Sequence, residues 1–142
     1  MNMIVEQMPQ SSKRMIYDSE KHSFVESDKG SLLFARGISY PYGCIKESGS
    51  PPGPHCDCIL ISHAEYELGD EVAVKIIGVF KRADGDHKYV VVKTDCATEE
   101  LAELTEKELL TLKRLYPQVG EGEGWFGRET ALDCYERCEK AL

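Results

Sequence analysis

The stretch EVAVKIIGVF (71–80), KRADGDHKY (81–89) and VVV (90–92) decides how this chain is read. Two runs rich in β-branched and aromatic residues flank an Asp-Gly-Asp tip, the pattern of an antiparallel hairpin with an acidic turn. Side chains of equal parity share a strand face, so Asp84, Asp86 and Lys88 are expected to project together. Two carboxylates beside an ammonium can bind a hard cation and a phosphate oxygen at once. The same residues also make an ordinary solvated turn, because Asp and Gly are common there.

Working outward, CDCILIS at 56–62 reads as a strand, as do RMIYD at 14–18, SFVES at 23–27 and SLLFARG at 31–37. Asp28-Lys29-Gly30 reads as a turn, and the Pro/Gly-punctuated segment 40–55 as a long ordered loop or broken strand. The first dozen residues are polar and are expected to form a loose arm, at about 1–12. Several short strands point to a small barrel or curled sheet. After Asp95 the pattern changes. Thr105-Glu106-Lys107-Glu108 is a capping box, and Leu109, Leu112, Leu115 and Tyr116 form a helical stripe stopped by Pro117. The Gly-rich link VGEGEGWFG leads to a second helix near 128–142, on which Ala131, Cys134, Tyr135, Cys138 and Leu142 recur at helical spacing. Strands followed by helices make an α+β chain, and 142 residues suit a single domain over 1–142.

A net charge of −8 argues against nucleic acid as a partner, since a phosphate backbone demands a positive footprint. It suits a protein that collects divalent cations, and it also suits plain solubility. No apolar run reaches membrane-spanning length, and MNMIVEQMPQ lacks a signal-peptide pattern, so no membrane partner and a cytoplasmic location are expected. The cysteines at 44, 56, 58, 96, 134 and 138 are then expected to be reduced. A zinc site from Cys56, Cys58, His55 and Cys44 is the sharper alternative, but a second ligand pair at zinc spacing is lacking.

By strand alternation Asp57 points opposite to Cys56 and Cys58. If the cysteines pack inward, Asp57 faces away from them. If they face outward or onto a helix, Asp57 faces the barrel interior with Asp84 and Asp86. Tyr40 and Tyr42 carry hydroxyls that can donate to phosphate or serve only packing. Lys13, Arg14, Arg36, Lys81 and Arg82 are potential phosphate partners, Arg being suited to bidentate contact. The Gly-rich link lacks the phosphate-loop ending, and no nucleophile elbow occurs.

The order of elements resembles the family I soluble inorganic pyrophosphatases. Tyr40-Pro41-Tyr42-Gly43-Cys44-Ile45 is similar to that family's Y-P-x-N-Y-G-Y-I segment with two residues deleted. Ile77-Gly78-Val79-Phe80-Lys81, followed by Asp84, Asp86 and Lys88, is similar to its G-x-x-K-M-x-D…D-x-K hairpin with a shortened tip. Gly122-Glu123-Gly124-Trp125 resembles its V-E-G-W turn before the last helix. The likeness runs in register from about residue 14 to the C-terminus.

The resemblance implies a small OB-like five-stranded β-barrel flanked by C-terminal helices, and hydrolysis of pyrophosphate, or another small phosphoanhydride, by water activated with Mg²⁺ or Mn²⁺. It assigns Asp57, Asp84 and Asp86 to metal, and Asp57, Lys88 and Tyr42 to catalysis. Arg14, Tyr42, Lys88 and Tyr116 would bind substrate, and relatives assemble as dimers or hexamers. The family signature D-x-D-P-x-D falls on Pro52-Gly53-Pro54-His55-Cys56-Asp57, so proline replaces two of its three carboxylates. Ile16 and Pro117 stand where the family has an acid and a Lys; Asp18 or Glu20 could substitute for the acid, and Glu47 or Asp70 could be recruited from neighbouring loops. Losing carboxylates should weaken Mg²⁺ binding. The alternative implied is a disabled module of the same fold that binds a phosphorylated ligand or a protein partner.

Overall fold

Met3 and Val5 alternate with Asn2, Ile4 and Glu6 in β1 (Asn2–Gln7), and both are fully buried. The segment expected as a loose arm therefore contributes a strand: its period-2 apolar pattern outweighs its polar composition. The structure, a computed structural model, describes residues 1–9, 12–49 and 53–141, leaving out the side chains of Tyr17, Leu32 and 139–141.

The elements that follow are β2 (Lys13–Asp18), β3 (Ser23–Gly30), α1 (Leu32–Ala35), β4 (Tyr42–Ile45), β5 (Cys56–Leu60), β6 (Glu71–Lys81), β7 (Lys88–Lys93), α2 (Glu106–Leu115), β8 (Gly124–Gly127) and α3 (Arg128–Ala141). Five of them close a barrel in the order β1-β4-β5-β7-β6, with β6 returning to pair with β1. The β5–β7 pairing is parallel and the others are antiparallel. Closure leaves these strands no free edge over the paired residues. β8 extends the sheet from the Gly78–Lys81 end of β6, so the Gly-rich link carries a strand.

Not every expected strand joins the barrel. β2 and β3 pair with each other as a separate hairpin. The expected turn at 28–30 is the end of β3, where Gly30 pairs with Lys13. SLLFARG is not a strand, for its apolar residues form α1. Ser31 starts that helix: its Oγ accepts from the Phe34 amide at 3.4 Å and its carbonyl from Ala35 at 3.0 Å, the N-cap use of serine.

The barrel interior holds Met3, Val5, Ile45, Cys56, Cys58, Leu60, Val72, Val74, Ile76, Val79, Tyr89 and Val91, with Ala131, Cys134 and Tyr135 of α3 packed onto it. A second layer lies on the outer face, where Ile59, Ile77, Val90 and Val92 meet Leu112 and Leu115 of α2. A bulge between Ile76 and Gly78 links the two. It reverses the parity of β6, so Val74 and Ile76 point inward while Ile77 and Phe80 reach the outer layer, where Phe80 stacks on Tyr116.

The capping box of α2 is complete. Thr105 Oγ1 accepts from the Glu108 amide at 3.1 Å, and Glu108 Oε1 accepts from the Thr105 amide at 2.9 Å. Thr105→Ala is expected to cost about 1 kcal/mol in a urea titration. No described helix is long and apolar enough to cross a membrane.

Candidate active site

Asp57 sits near the start of β5, beside Cys44 of β4 on one side and Lys88 of β7 on the other. Its neighbours Cys56 and Cys58 point into the barrel, so Asp57 faces outward, and that outer face is where the polar side chains gather. The zinc alternative fails on the same alternation, because the C-x-C sulfurs lie in the barrel interior while His55 turns to Asp57.

Lys88 is 5% exposed, and its Nζ donates to Asp57 Oδ2 at 2.7 Å and to Asp86 Oδ2 at 3.1 Å. The ammonium lies 5.8 Å from the centroid of the Tyr42 ring. Burial alone would push Lys88 down, but the charge and hydrogen bond of Asp57 outweigh it and hold it above its ordinary value. Burial would likewise raise the Asp57 carboxyl. The His55 hydrogen bond, the Lys88 charge and the Tyr42 hydroxyl outweigh that and hold it at about 2. Tyr42 is pushed up by its own burial and by Asp57.

The hairpin tip behaves differently from a strand. β6 ends at Lys81 and β7 begins at Lys88, so residues 82–87 form a turn in which parity no longer applies. Asp86 and Lys88 still meet, but Asp84 Oδ1 accepts from the Asp86 amide at 2.9 Å and its other oxygen pairs with Arg82 at 3.4 Å. Asp84 shapes the exposed turn. Arg82 also approaches Asp86 at 3.7 Å and lies over Tyr116, whose hydroxyl is raised by burial against the pull of Lys88 and Arg82.

Other expected participants lie elsewhere. Arg14 lines a shallow depression with Ile16, Glu26, Ser27, Asp28 and Lys29, none of which belongs to the Asp57–Lys88 cluster. Arg36 donates to the Leu115 carbonyl at the end of α2, a structural role. Glu47 accepts from the Asn2 amide and Asp70 from the Glu67 amide, so both are turned to local backbone. Pro54 is exposed, and Pro52 lies outside the described residues.

In their place the structure brings in Glu6. It is the extra residue of a bulge in β1, between Val5, which pairs with Gly43, and Gln7, which pairs with Tyr42. The bulge leaves Glu6 with one carboxylate oxygen, Oε1, buried and without a hydrogen-bond partner among the described residues. Burial raises this carboxyl, opposed by a hydrogen bond from the Cys44 thiol. His55 Nε2 stands 3.2 Å from Asp57 Oδ1, and that hydrogen bond raises the imidazole to about 9. A period-2 reading of β1 signals its strand character, but the bulge has no local sequence mark.

This cluster lies on the outer face of a closed five-stranded barrel, and comparison with known proteins fits that architecture. A family model described as inorganic pyrophosphatase matches residues 3–141. The chain belongs to the inorganic pyrophosphatase family. Among solved structures, the inorganic pyrophosphatase of Helicobacter pylori is similar at 16% identity and a TM-score of 0.73, over 99% of this chain and 92% of that one. Those of Neisseria gonorrhoeae and Ehrlichia chaffeensis are each 20% identical, with TM-scores of 0.71 and 0.73. Both cover 97% of this chain, and 90% and 92% of their own. At such identities the likeness shows the fold. No curated protein matches the sequence. Family membership implies use of a divalent metal, and in this pyrophosphatase-family chain the described residues that come together as possible ligands are Glu6, His55 and Asp57.

Proposed function

We propose that this chain hydrolyses a small phosphoanhydride, pyrophosphate first among them, with the help of a divalent cation. The observation that carries the reading is the Lys88 ammonium held between Asp57 and Asp86 beneath Tyr42, on a barrel of the pyrophosphatase family. Lys88 offers a phosphate oxygen a buried, fully charged donor, and such contacts strengthen as water is excluded. Arg82 at the rim adds a guanidinium suited to a second oxygen. The Tyr42 hydroxyl stays protonated and acts as a donor. Arg14 is not part of the proposed machinery.

A bound divalent cation supplies charge neutralisation and a more acidic water. Mg²⁺ demands near-octahedral oxygen ligands, and several such ions fit this donor set poorly. One oxygen of Asp57 faces Lys88, the other faces His55, and an imidazole nitrogen stands within the group. An imidazole ligand favours first-row transition ions over Mg²⁺, and Mn²⁺ is the one of these that also suits carboxylate and water, so Mn²⁺ is the cation to expect here. A location in the cytoplasm and a homo-oligomeric state belong to the same proposal.

Phosphate release from pyrophosphate, followed colorimetrically with Mn²⁺, with Mg²⁺ and with chelator, tests it. Metal-dependent release is expected, greatest with Mn²⁺, and Asp57→Asn should lower it by about a hundredfold or more, the scale of losing an electrostatic catalytic group. Full activity in Asp57→Asn would refute the assignment. A rise in melting temperature with pyrophosphate but no release would favour the disabled module instead.

A further inference from the structure

Around Asp57, which the family motif assigns to metal, the barrel's outer face brings two further ligands that the motifs quoted above do not assign. Glu6 comes from the bulge in β1, while His55 and Asp57 flank the start of β5. A ligand atom from each lies within 4.8 Å of the other two. Three features mark a coordination site rather than a solvated cluster. First, Glu6 Oε1 is buried without a hydrogen-bond partner among the described residues, a costly arrangement for a carboxylate. Second, His55 Nδ1 donates to the Gly53 carbonyl at 2.9 Å, which fixes the ring with Nε2 facing the group, so that a bound ion would take the place of the proton Nε2 now donates to Asp57. Third, the 3.2 Å between His55 Nε2 and Asp57 Oδ1 matches the roughly 3.0–3.4 Å between neighbouring ligands on one ion at ordinary first-row bond lengths.

We infer that Glu6, His55 and Asp57 form a single site for a first-row divalent cation: Mn²⁺, or one of the softer ions Fe²⁺, Co²⁺ and Zn²⁺. One imidazole with two carboxylates is a donor set that suits these ions and disfavours Mg²⁺. The site compensates for the prolines at 52 and 54 by drawing one ligand from the same loop and another from a different strand. It deepens the hydrolase reading by naming the ion's ligands, and rests on that reading only for the ion's role in turnover.

Titration of the full chain, stripped with chelator, with Co²⁺ tests the site through the visible absorption of the bound ion. Saturation at one equivalent is expected, with millimolar Mg²⁺ unable to displace it. His55→Ala should weaken Co²⁺ binding by about tenfold or more. Glu6→Gln, which keeps the shape of the side chain, should do likewise, with circular dichroism verifying that both variants fold. Unchanged Co²⁺ affinity in both folded variants would overturn the site, as would ready displacement by equimolar Mg²⁺. If Co²⁺ binds as expected but pyrophosphate is not hydrolysed, the site stands and the hydrolase reading falls. Metal-dependent hydrolysis with Co²⁺ uptake unaltered in both variants leaves the hydrolase reading and removes the site.

Discussion

Lys88→Met is expected to destabilise the protein by about 3 kcal/mol, because it removes the cation between two carboxylates and leaves the half-buried Asp57 with His55 alone as counter-charge. Methionine keeps the length and fills the space under Tyr42, so packing alone accounts for little of the loss. Most of the effect should come from Asp57, which is 17% exposed, rather than Asp86, which is 56% exposed and screened by water. A double-mutant cycle separates these contributions. Asp57→Asn in the Lys88→Met background should recover much of the stability, with a coupling of about 2 kcal/mol by chemical denaturation. A coupling near zero would mean that Lys88 acts as a hydrophobic stem and not as a counter-ion.

The second large effect is expected at Gly43, the glycine of the Tyr-Gly step near the start of β4. A side chain there would run into the carbonyl oxygen of Ile4 and approach the Glu6 amide at 3.2 Å. The obstacle is backbone on both counts and cannot swing aside. The bulge that brings Glu6 to the site folds β1 closely over β4 at this point, and only the absence of a Cβ admits it. Gly43→Ala should therefore cost about 3 kcal/mol, the upper range for overpacking, and lower the melting temperature accordingly. A variant as stable as the parent would show that β1 can shift outward without loss.

How far the sequence reveals this arrangement depends on how local each signal is. The long hairpin is legible because β6 and β7 are apolar runs around an Asp-Gly-Asp tip, and α2 because its capping box and leucine stripe agree. Asp57, Asp86, Lys88 and Tyr42 are legible through motif spacing, and the structure brings them together. What escapes has non-local causes. β1 looks polar until its alternation is set against β4 and β6, and α1 looks like a strand because four apolar residues fit either period. Asp84 is misplaced because alternation ends where the turn begins. Glu6 is missed because a bulge is a property of two strands in register, and no single segment encodes it.

The seam that closes the barrel also shapes the history of each molecule. Met3 pairs with Ile45 on one side and with Val72 on the other, so β1 emerges from the ribosome well before either partner is available. Until β6 has been synthesised the strand has apolar residues to hide and only half of a ladder to join. Barrel closure is thus a late, long-range event, and such loops are slow to form. In that interval the nascent chain carries a strand with an unpaired edge, an opening for chaperone capture.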